Sequence, residues 1–516
     1  MSRKGRDLGD RSAIVRGNKM DSISLEDWKL WRQQGCTRLP VVSVIEEPVR
    51  PASWSAFANC AAMVLLESAQ AGRYTYLCDR PRRVILGRAE AAEVWTQDCA
   101  TRLRTVEGKP LEVLQSLLAE TKAPELPGWP AMAGGLMGAL GYDVVRSWEK
   151  LPLRAHRDRS LPLYAMVETA DVFIYDEVER VLRVVVWSDA PADAAALADE
   201  FRRAQENVDV ALARWRERCA RNPAECGHKS HSSQVDRTAN PPPSFSSEGF
   251  QAAVQRALCY IAAGDTYQVN LSLRTSRTTN VPPEQIFDSL RAVNPSPYMG
   301  LLRVPGFALV CGSPELLVRL EGGVVSSRPI AGTRPRGTFG SQDSEYSAEL
   351  FASEKERAEH LMLVDLIRND IGRVAEFGSV QVKEFMMLER YSHVMHIVSQ
   401  VEGRLAAGQT WVEVFRSMFP GGTITGCPKI RTMEIIEELE PVGREFYTGA
   451  LGWISYTGEM AMNIIIRSMT IHAGVASVQA GAGIVADSQP DRELDEAQRK
   501  AQALWVALDN TTNTHG

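Results

Sequence analysis

The sequence predicts an α+β protein in which large antiparallel β-sheets are surrounded by helices. Residues 345–373 repeat apolar side chains every three or four positions, with Leu361, Val364 and Ile367 in one stripe, which is the spacing of a helix with one buried face. Residues 449–488 have strand-like composition around two glycine turns, and this pattern predicts three antiparallel strands. Residues 488–505 begin with Ser and Pro and predict a further helix.

The composition excludes several classes of protein. The 516 residues are 44% hydrophobic and 24% charged, as in ordinary globular proteins. A formal net charge of −6 without a basic tract argues against nucleic acid as a partner. No apolar run approaches the ~20 residues of a membrane span, so we expect a cytoplasmic protein without membrane contact. The nine cysteines form no C-x-x-C pair, which argues against a zinc site or a disulfide framework.

A change in composition divides the chain. Residues 222–248 are rich in Pro, Ser and Asn after a charged helical stretch, which is typical of a linker or long surface loop. This segment separates an N-terminal region, 1–221, from a C-terminal catalytic domain, 249–510. His228 and His231 lie within it and could form a metal pair, but its composition favours a solvated loop.

Three charged residues lie in positions that suggest binding. Arg467 follows three isoleucines, and a guanidinium in so apolar a strand needs either a structural salt bridge or a ligand carboxylate. Glu315 belongs to a Ser-Pro-Glu break that predicts a bulge or bend, where a lone carboxylate is more often a turn residue. A helix begins after Pro428, where free N–H groups and Lys429 could hold an anion.

Carboxylates also recur on two predicted helices. Glu359 lies on the polar side of the first, and Glu493, Glu496 and Lys500 share one face of the second. Each set alone is typical of a solvated helix face. Combined with Arg467, they predict a pocket in which carboxylates hold magnesium and positive groups hold a small dicarboxylate substrate.

Five segments resemble those of a known family. They occur in the same order over about residues 248–508 and read "RPIAGTRPRG", "AEHLMLVDLIRNDIGRV", "YSHVMHIVSQVEG", "FPGGTITGCPKIRTMEIIEELEP" and "QAGAGIVADS". Each resembles a motif of the chorismate-utilising enzymes, which include anthranilate synthase component I and aminodeoxychorismate synthase component I. The resemblance implies the chorismate-binding enzyme fold, with a sandwich-like core of antiparallel sheets, and Mg²⁺ as cofactor.

The resemblance also implies roles for matching residues. Glu359 and Glu496, with Glu493 alongside, correspond to residues that bind the Mg²⁺ on the ring carboxylate of chorismate. Glu315 resembles the general acid for the leaving 4-hydroxyl group, and His396 resembles a second catalytic residue.

Further matching positions are implied to contact the substrate or the nucleophile. Gln268 occupies the position where relatives that add water carry a lysine base, so ammonia is the implied nucleophile. The implied substrate contacts are positive groups, backbone amides, hydroxyls and one aromatic ring: Arg467, Lys500, Ala482, Gly483, Gly426, Thr333, Thr425 and Trp453.

Ala331 is relevant to the reaction product. In one branch of the aminodeoxychorismate synthases the motif reads P-I-K-G-T, and its lysine attacks the ring as a covalent nucleophile. The P-I-A-G-T sequence here resembles both anthranilate synthases and a lysine-free branch of aminodeoxychorismate synthases. The alanine therefore leaves room for ammonia without deciding between the two products.

Three functions remain open. "GDTYQVNLS", "FPGGTITG" and "MNIIIRS" resemble aminodeoxychorismate synthases, which favours 4-amino-4-deoxychorismate, the precursor of 4-aminobenzoate and folate, as product. "LLES", "NPSPYM" and "YSHVMH" instead resemble anthranilate synthases, which form anthranilate and pyruvate for tryptophan synthesis. The third possibility is a non-catalytic regulator that only binds tryptophan. The implied tryptophan pocket comprises Leu66, Glu67, Ser68, Asn294, Pro297, Tyr298 and Met299.

The cysteines also suggest a partner. None of the nine lies in the G-x-C-x-G setting of a glutamine amidotransferase nucleophile. We therefore expect ammonia to come from a separate glutamine amidotransferase subunit, component II. Chorismate, ammonia and this subunit are the expected partners, and free tryptophan is a further candidate ligand.

Overall fold

Two antiparallel sheets with helices on their outer faces make up the protein, so the predicted α+β class is confirmed. The computed structural model describes residues 22–69, 72–221, 240–335, 340–390 and 394–513. His228, His231 and most of the predicted linker lie outside these residues. The remainder of the linker ends at Ser246, whose hydroxyl accepts the N–H of Gly249 at 3.0 Å and begins a helix.

Ten α-helices lie within the described ranges, and none of them combines the length and the apolarity needed to cross a membrane. They are α1 (Leu25–Gln33), α2 (Pro110–Ala119), α3 (Ala194–Ala220), α4 (Ser247–Ala262), α5 (Pro283–Val293), α6 (Gly340–Ala352), α7 (Glu354–Gly372), α8 (Trp411–Met418), α9 (Lys429–Leu439) and α10 (Pro490–Asn513).

The strands in the same ranges are β1 (Arg38–Glu46), β2 (Met63–Glu67), β3 (Tyr74–Cys78), β4 (Pro81–Gly87), β5 (Ala91–Thr96), β6 (Arg102–Glu107), β7 (Gly135–Leu140), β8 (Tyr164–Thr169), β9 (Asp171–Asp176), β10 (Val181–Asp189), β11 (Gln268–Thr278), β12 (Tyr298–Val304), β13 (Phe307–Ser313), β14 (Leu316–Glu321), β15 (Val324–Ser327), β16 (Ile330–Pro335), β17 (Gln381–Arg390), β18 (Val394–Arg404), β19 (Gly426–Cys427), β20 (Ala450–Ser455), β21 (Met460–Ile464), β22 (Ser468–His472) and β23 (Val475–Ile484).

Both sheets contain strands from both halves of the chain. Sheet A has the order β1-β10-β9-β3-β2-β12-β13-β22-β23-β11-β19, and sheet B has the order β16-β18-β15-β14-β21-β20-β7-β8-β4-β5-β6, with β17 paired to β18. In sheet A, β2 of the first half pairs with β12 of the second, and in sheet B β7 pairs with β20. The N-terminal and C-terminal regions therefore form one continuous structure.

The hydrophobic core is layered. One cluster of buried residues lies between the sheets and includes Val64 and Val172 of sheet A and Met137 and Val167 of sheet B. A second cluster joins sheet A to α1, α3, α5 and α10, and a third joins sheet B to α2, α7 and α8. This arrangement is the predicted sandwich-like core, because each sheet buries one face against the other and one face under helices.

Three local predictions need correction. The helix predicted over residues 345–373 is interrupted at Ser353, whose side chain accepts the N–H of Glu356 at 3.3 Å and begins α7. Within α7, Leu361 was expected in the apolar stripe with Val364, but it is 54% exposed and the buried stripe starts at Leu363. The three strands predicted over residues 449–488 are four, because the chain leaves sheet B after β21 and enters sheet A at β22.

Candidate active site

Two neighbouring crossovers between the sheets form the centre of the candidate site. Glu315 lies where the chain passes from β13 of sheet A to β14 of sheet B, and Arg467 lies where it passes from β21 back to β22. Because β13 pairs with β22 and β14 with β21, the two crossovers run side by side. Ile464 N–H donates to Glu315 O, and Gly312 N–H donates to Arg467 O, both at 3.0 Å.

Glu315 is a buried carboxyl group with a raised pKa. Burial raises its pKa from 4.5 to about 7, although the Thr423 hydroxyl and the charges of Arg467 and Lys500 oppose this rise. Its N–H also donates to Ser313 Oγ at 3.2 Å, so the residue stabilises the predicted bend as well. A carboxyl group that titrates near neutrality is suited to donate a proton to a leaving group.

Arg467 carries a half-buried guanidinium. The residue has a left-handed backbone, with φ at 49°, and it lies between two strands rather than within one as predicted. Its side chain forms neither an ion pair nor a hydrogen bond with any residue that the structure describes. Burial lowers its pKa, and the nearby Glu315 opposes this effect. Of the two predicted alternatives, a ligand carboxylate fits these observations better than a structural salt bridge.

His396 lies on β18 and belongs to the same electrostatic environment. It is buried, and its Nδ1 lies 3.1 Å from the carbonyl oxygen of Gly332. Burial lowers its pKa, the Gly332 carbonyl opposes this, and the charge of Arg467 lowers it further. Arg467 affects the pKa of both His396 and Glu315, so the three predicted residues share one electrostatic environment.

The P-I-A-G-T segment forms the bulged strand β16. Ala331 is buried against β18, and the pairing register shifts between it and Thr333. Gly332, in between, has a φ of 65°, and a Cβ atom there would lie 2.7 Å from Leu350 and 3.0 Å from a carboxylate oxygen of Glu356. The bulge therefore requires glycine. The side chain of Thr333 lies outside the described part of the chain, so its hydroxyl contact stays a prediction.

Gln268 begins β11 beside two glycines that leave room for it. It is buried, and its Oε1 has no hydrogen-bond partner among the described residues. A Cβ atom on Gly483 would lie 2.6 Å from Gln268 Nε2, and one on Gly426 would collide with the Gln268 carbonyl oxygen. The Thr425 hydroxyl donates to the carbonyl oxygen of Gly421 at 2.9 Å. The Gln268 amide oxygen can therefore accept a hydrogen bond from a bound molecule, whereas the Thr425 proton is already engaged.

Near its C-terminal end, β23 has a neighbouring strand on only one side within the described residues. β23 pairs with β11 along its whole length, whereas β22 on the other side stops opposite Val478. Ala482 and Gly483 lie beyond that point, so their stretch has no strand partner on that side within the described chain. Lys500 adds positive charge, with Nζ 3.1 Å from the Gly481 carbonyl oxygen. This geometry fits the predicted carboxylate-holding amides.

The predicted metal ligands have suitable chemistry but do not form a ready cluster. Glu359 lies on α7 and Glu493 and Glu496 on α10, and carboxylate oxygens are the ligands that Mg²⁺ prefers. In the described ranges, no three Asp, Glu, His or Cys side chains are grouped so that they could hold a metal ion. Glu496 instead pairs with Lys500 at 2.8 Å. The magnesium site therefore stays a prediction.

A second region, which we call the crossover cavity, lies beside the first crossover and has a volume of about 570 Å³. Pro314 and Leu316 line it, whereas Glu315 between them does not. Trp453, predicted as a substrate contact, also lines it, with its ring centre 6.3 Å from that of Tyr76. The structure therefore places Trp453 at the cavity rather than beside Glu315.

The cavity is also where most of the predicted tryptophan pocket lies. Pairing of β2 with β12 brings the "LLES" and "NPSPYM" segments together, with Glu67 opposite Met299. Asn294 is not among the lining residues; its N–H donates to the Leu290 carbonyl oxygen at the end of α5, at 2.8 Å. The predicted residues that line the cavity are Leu66, Glu67, Ser68, Pro297, Tyr298 and Met299.

Lys429 has a different role from the predicted one. Its Nζ pairs with Asp370 at 2.8 Å and lies within hydrogen-bond distance of the carbonyl oxygens of Ser417 and Met418. The prediction that Lys429 is free to hold an anion is therefore wrong, because its charge joins α7, α8 and α9.

The structure adds one residue to the site that sequence reasoning missed. Thr423 lies beside the Glu315 carboxyl group and helps to set its pKa. It belongs to the "FPGGTITG" segment, which contains two threonines, and only the placement of Glu315 reveals which of the two is near the acid. The motif alone could therefore identify the segment but not the hydroxyl.

Comparison with known proteins gives a consistent result. The family model for chorismate binding enzymes matches residues 63–505. Aminodeoxychorismate synthase component 1 of Bacillus subtilis (strain 168) is 41% identical over 86% of this chain and 91% of the relative. Anthranilate synthase component 1 of Acetivibrio thermocellus is 38% identical over 91% of this chain and 94% of the relative.

A solved structure agrees with the fold. The crystal structure of anthranilate synthase component I from Streptococcus pneumoniae TIGR4 superposes with a TM-score of 0.70 at 30% identity, covering 85% of this chain and 93% of that one. The predicted chorismate-binding enzyme fold is therefore confirmed.

Proposed function

The chain belongs to the chorismate-binding enzyme family, and from this premise we propose that it is component I of an aminodeoxychorismate synthase. In this reaction chorismate and ammonia give 4-amino-4-deoxychorismate and water. The observation that carries the loss of the chorismate hydroxyl, which both candidate reactions share, is the Arg467 guanidinium near the high-pKa carboxyl group of Glu315, with no ion pair or hydrogen bond to any described residue. An anion-binding group next to a proton donor is what loss of a hydroxyl from a carboxylate substrate requires.

The residues of the site have complementary roles in this reaction. Arg467 and the open backbone of Ala482 and Gly483 bind the carboxylates of chorismate. Glu315 is protonated near neutral pH and gives its proton to the 4-hydroxyl group as the C–O bond breaks. Gln268 accepts a hydrogen bond from ammonia, which forms the new C–N bond. His396 supplies a neutral imidazole that can take up the proton released by the added nitrogen.

Magnesium is part of the proposal. When bound, Mg²⁺ would neutralise the ring carboxylate of chorismate and stabilise the charge of the departing hydroxyl. Glu359, Glu493 and Glu496 are the side chains that would hold it. In the structure one carboxylate oxygen of Glu496 pairs with Lys500, which leaves its second oxygen to bind a cation.

The choice of aminodeoxychorismate as product rests on the segments nearest the chemistry. "GDTYQVNLS" contains Gln268, "FPGGTITG" contains Thr423, and "MNIIIRS" contains Arg467, and all three resemble aminodeoxychorismate synthases. Ala331 cannot form a covalent adduct with the ring, so ammonia itself is the nucleophile in this account.

A second candidate, anthranilate synthase component I, is favoured by the crossover cavity. The cavity is lined by the "LLES" and "NPSPYM" segments, which resemble the tryptophan pocket of those enzymes. Both reactions use the same acid and the same carboxylate contacts, and they differ in where nitrogen is added and whether pyruvate is eliminated. The site geometry alone therefore favours neither product.

Ammonia is proposed to come from a separate glutamine amidotransferase subunit. The purified chain should accordingly use ammonium salts with chorismate and Mg²⁺ but should not use glutamine by itself. Glutamine-dependent product formation by this single chain would contradict the proposal.

Product analysis tests the function. With chorismate, Mg²⁺ and ammonium, the chain is expected to release 4-amino-4-deoxychorismate, which a lyase converts to 4-aminobenzoate, with little pyruvate. Fluorescent anthranilate with stoichiometric pyruvate would instead establish the second candidate. No consumption of chorismate would leave only the non-catalytic tryptophan-binding regulator.

A further inference from the structure

The first half of α7 carries Glu359 but has little hydrophobic anchoring. Val364, Ile367 and Ile371 are buried in the second half of the helix. Among the described side chains of residues 354–362, His360 alone is buried, and it is fully so. The placement of Glu359 therefore depends on how the neighbouring His360 is held.

Among the described residues, the His360 side chain makes one polar contact. Its Nε2 lies 2.6 Å from Ser399 Oγ on β18, and its Nδ1 has no partner among the described residues. Ser399 Oγ also accepts the N–H of Met386 on β17 at 3.0 Å, and the Ser399 N–H donates to the Pro329 carbonyl oxygen at 3.2 Å. A single serine therefore joins α7, β17, β18 and the segment that leads into β16.

The same strands carry the candidate catalytic residues. Ser399 follows His396 by three positions on β18, and Pro329 precedes Ala331 by two. This part of α7 also contacts β16 through the half-buried pair Arg334–Glu356 at 3.3 Å. A partly exposed ion pair fixes geometry weakly, because it is screened by solvent. The buried His360–Ser399 contact is the stronger constraint.

We propose that His360 is a positioning residue, which acts through Ser399 to set Glu359 relative to His396 across the candidate site. This inference rests on the proposed function, because Glu359 matters as a ligand of Mg²⁺ in that function. The inference goes further than that function because it identifies the residues that orient the Glu359 side chain. Supporting residues behind metal ligands typically affect metal affinity rather than the fold.

Three variants distinguish the orienting effect of the His360–Ser399 hydrogen bond from the packing of the His360 side chain. His360→Leu fills similar space without the hydrogen bond, Ser399→Ala removes the partner, and His360→Gln keeps a polar atom within reach of Ser399. We expect the KM for Mg²⁺ to rise about tenfold in the first two, with kcat changed less than about threefold, and to be partly restored in His360→Gln. Leu361→Ala, on the exposed face of the same helix, is the matched control and should match the wild type.

Hydrogen exchange of the metal-free protein gives a readout independent of activity. Backbone amides of residues 354–362 should exchange faster in His360→Leu and Ser399→Ala, whereas those of residues 364–371 should not change. The double variant should raise the KM for Mg²⁺ no more than the larger single effect, because both substitutions remove the same contact.

Several results would overturn the inference. One is that His360→Leu keeps both the wild-type KM for Mg²⁺ and the wild-type rate of hydrogen exchange. Another is that His360→Leu and His360→Gln raise the KM for Mg²⁺ equally. The third is that the effects of His360→Leu and Ser399→Ala on this KM add in the double variant. If the wild-type enzyme consumes no chorismate, the proposed function fails, and the exchange comparison alone still decides whether His360 anchors the first half of α7.

Discussion

The candidate site and the crossover cavity lie on two sides of one short segment, yet their charges are arranged differently. Pro314 and Leu316 line the cavity, while Glu315 between them belongs to the site. In the cavity, Glu67 pairs with Arg50 at 3.0 Å and with Arg291 at 3.1 Å.

Two lining arginines are also paired, whereas Arg319 and Glu321, which line the cavity too, are exposed and have no ion pair among the described residues. Arg328 pairs with Glu384 at 3.0 Å, and Arg73 pairs with Asp176 at 2.9 Å. Arg467, in contrast, has no such partner among the described residues. Paired charges stabilise the walls of a pocket, whereas a half-buried cation without a protein partner indicates that an anion binds there. The comparison teaches that the buried and half-buried charges of the cavity are paired, whereas the half-buried Arg467 of the candidate site is not paired with any residue that the structure describes.

The largest effect is expected from the carboxylates proposed to bind magnesium. Glu359→Gln or Glu496→Gln should lower kcat/KM for chorismate by roughly a thousandfold or more, because a carboxamide is a poor ligand for a hard cation. Asp495→Asn, an exposed neighbour on α10, is the matched control and should have little effect. Near-normal turnover in both glutamine variants, measured by chorismate consumption, would remove the metal assignment.

Loss of the proton donor should have the next largest effect. Glu315→Gln should lower kcat by roughly 10² to 10⁴, with little change in the KM for chorismate, because the amide cannot protonate the leaving hydroxyl. Glu321→Gln changes a carboxylate that lines the cavity and serves as the control. If the two variants lose activity equally, Glu315 is not distinguished from an ordinary acidic residue.

The raised pKa of Glu315 also predicts how stability depends on pH. The folded state keeps the proton up to about pH 7, whereas the unfolded state releases it near 4.5. The folded state therefore binds more protons in this interval, and this residue makes the free energy of unfolding fall as the pH rises from 4.5 to 7. Urea denaturation at pH 5 and pH 8 should reveal a smaller loss of stability with pH in Glu315→Gln. An identical pH dependence in the two proteins would mean that the pKa is not raised.

The smallest effect concerns ligand binding at the cavity. If the cavity binds free tryptophan, Ser68→Ala or Pro297→Ala should weaken binding about tenfold in calorimetry, as expected for the loss of one contact. Asn294→Ala should not, because Asn294 lies outside the lining. If no binding is detected at millimolar tryptophan, the two motifs act in packing alone.

Sequence motifs identified the residues of the candidate site more accurately than apolar periodicity predicted the secondary structure in which they lie. The segments around Glu315, His396, Arg467 and Gln268 were identified from the sequence, and the structure brings the first three into one electrostatic environment. The position of Arg467 in a strand was predicted wrongly, since a run of isoleucines cannot reveal that the chain changes sheets there.

Other errors have the same physical origin. Spacing alone placed Leu361 in the buried stripe of α7, although the stripe begins two residues later. Lys429 was expected to face an anion, but Asp370, distant in sequence, pairs with it. Asn294 and Trp453 were assigned by motif, and the pairing of distant strands decided where each one lies. Tertiary contacts of this kind are not encoded in any local pattern.

Chorismate binding by arginine variants tests the central claim most directly. Arg467 and Arg319 both lie near the first crossover, but Arg467 belongs to the site and Arg319 lines the cavity. Isothermal titration with chorismate and Mg²⁺ should detect affinity about a hundredfold weaker in Arg467→Ala than in the wild type, as expected for a lost bidentate carboxylate contact. Arg319→Ala should bind like the wild type, with both variants as stable as the parent in thermal unfolding. Unchanged affinity in Arg467→Ala, or an equal loss in Arg319→Ala, would contradict the claim that chorismate binds in the candidate site around Glu315 and Arg467 and not in the crossover cavity.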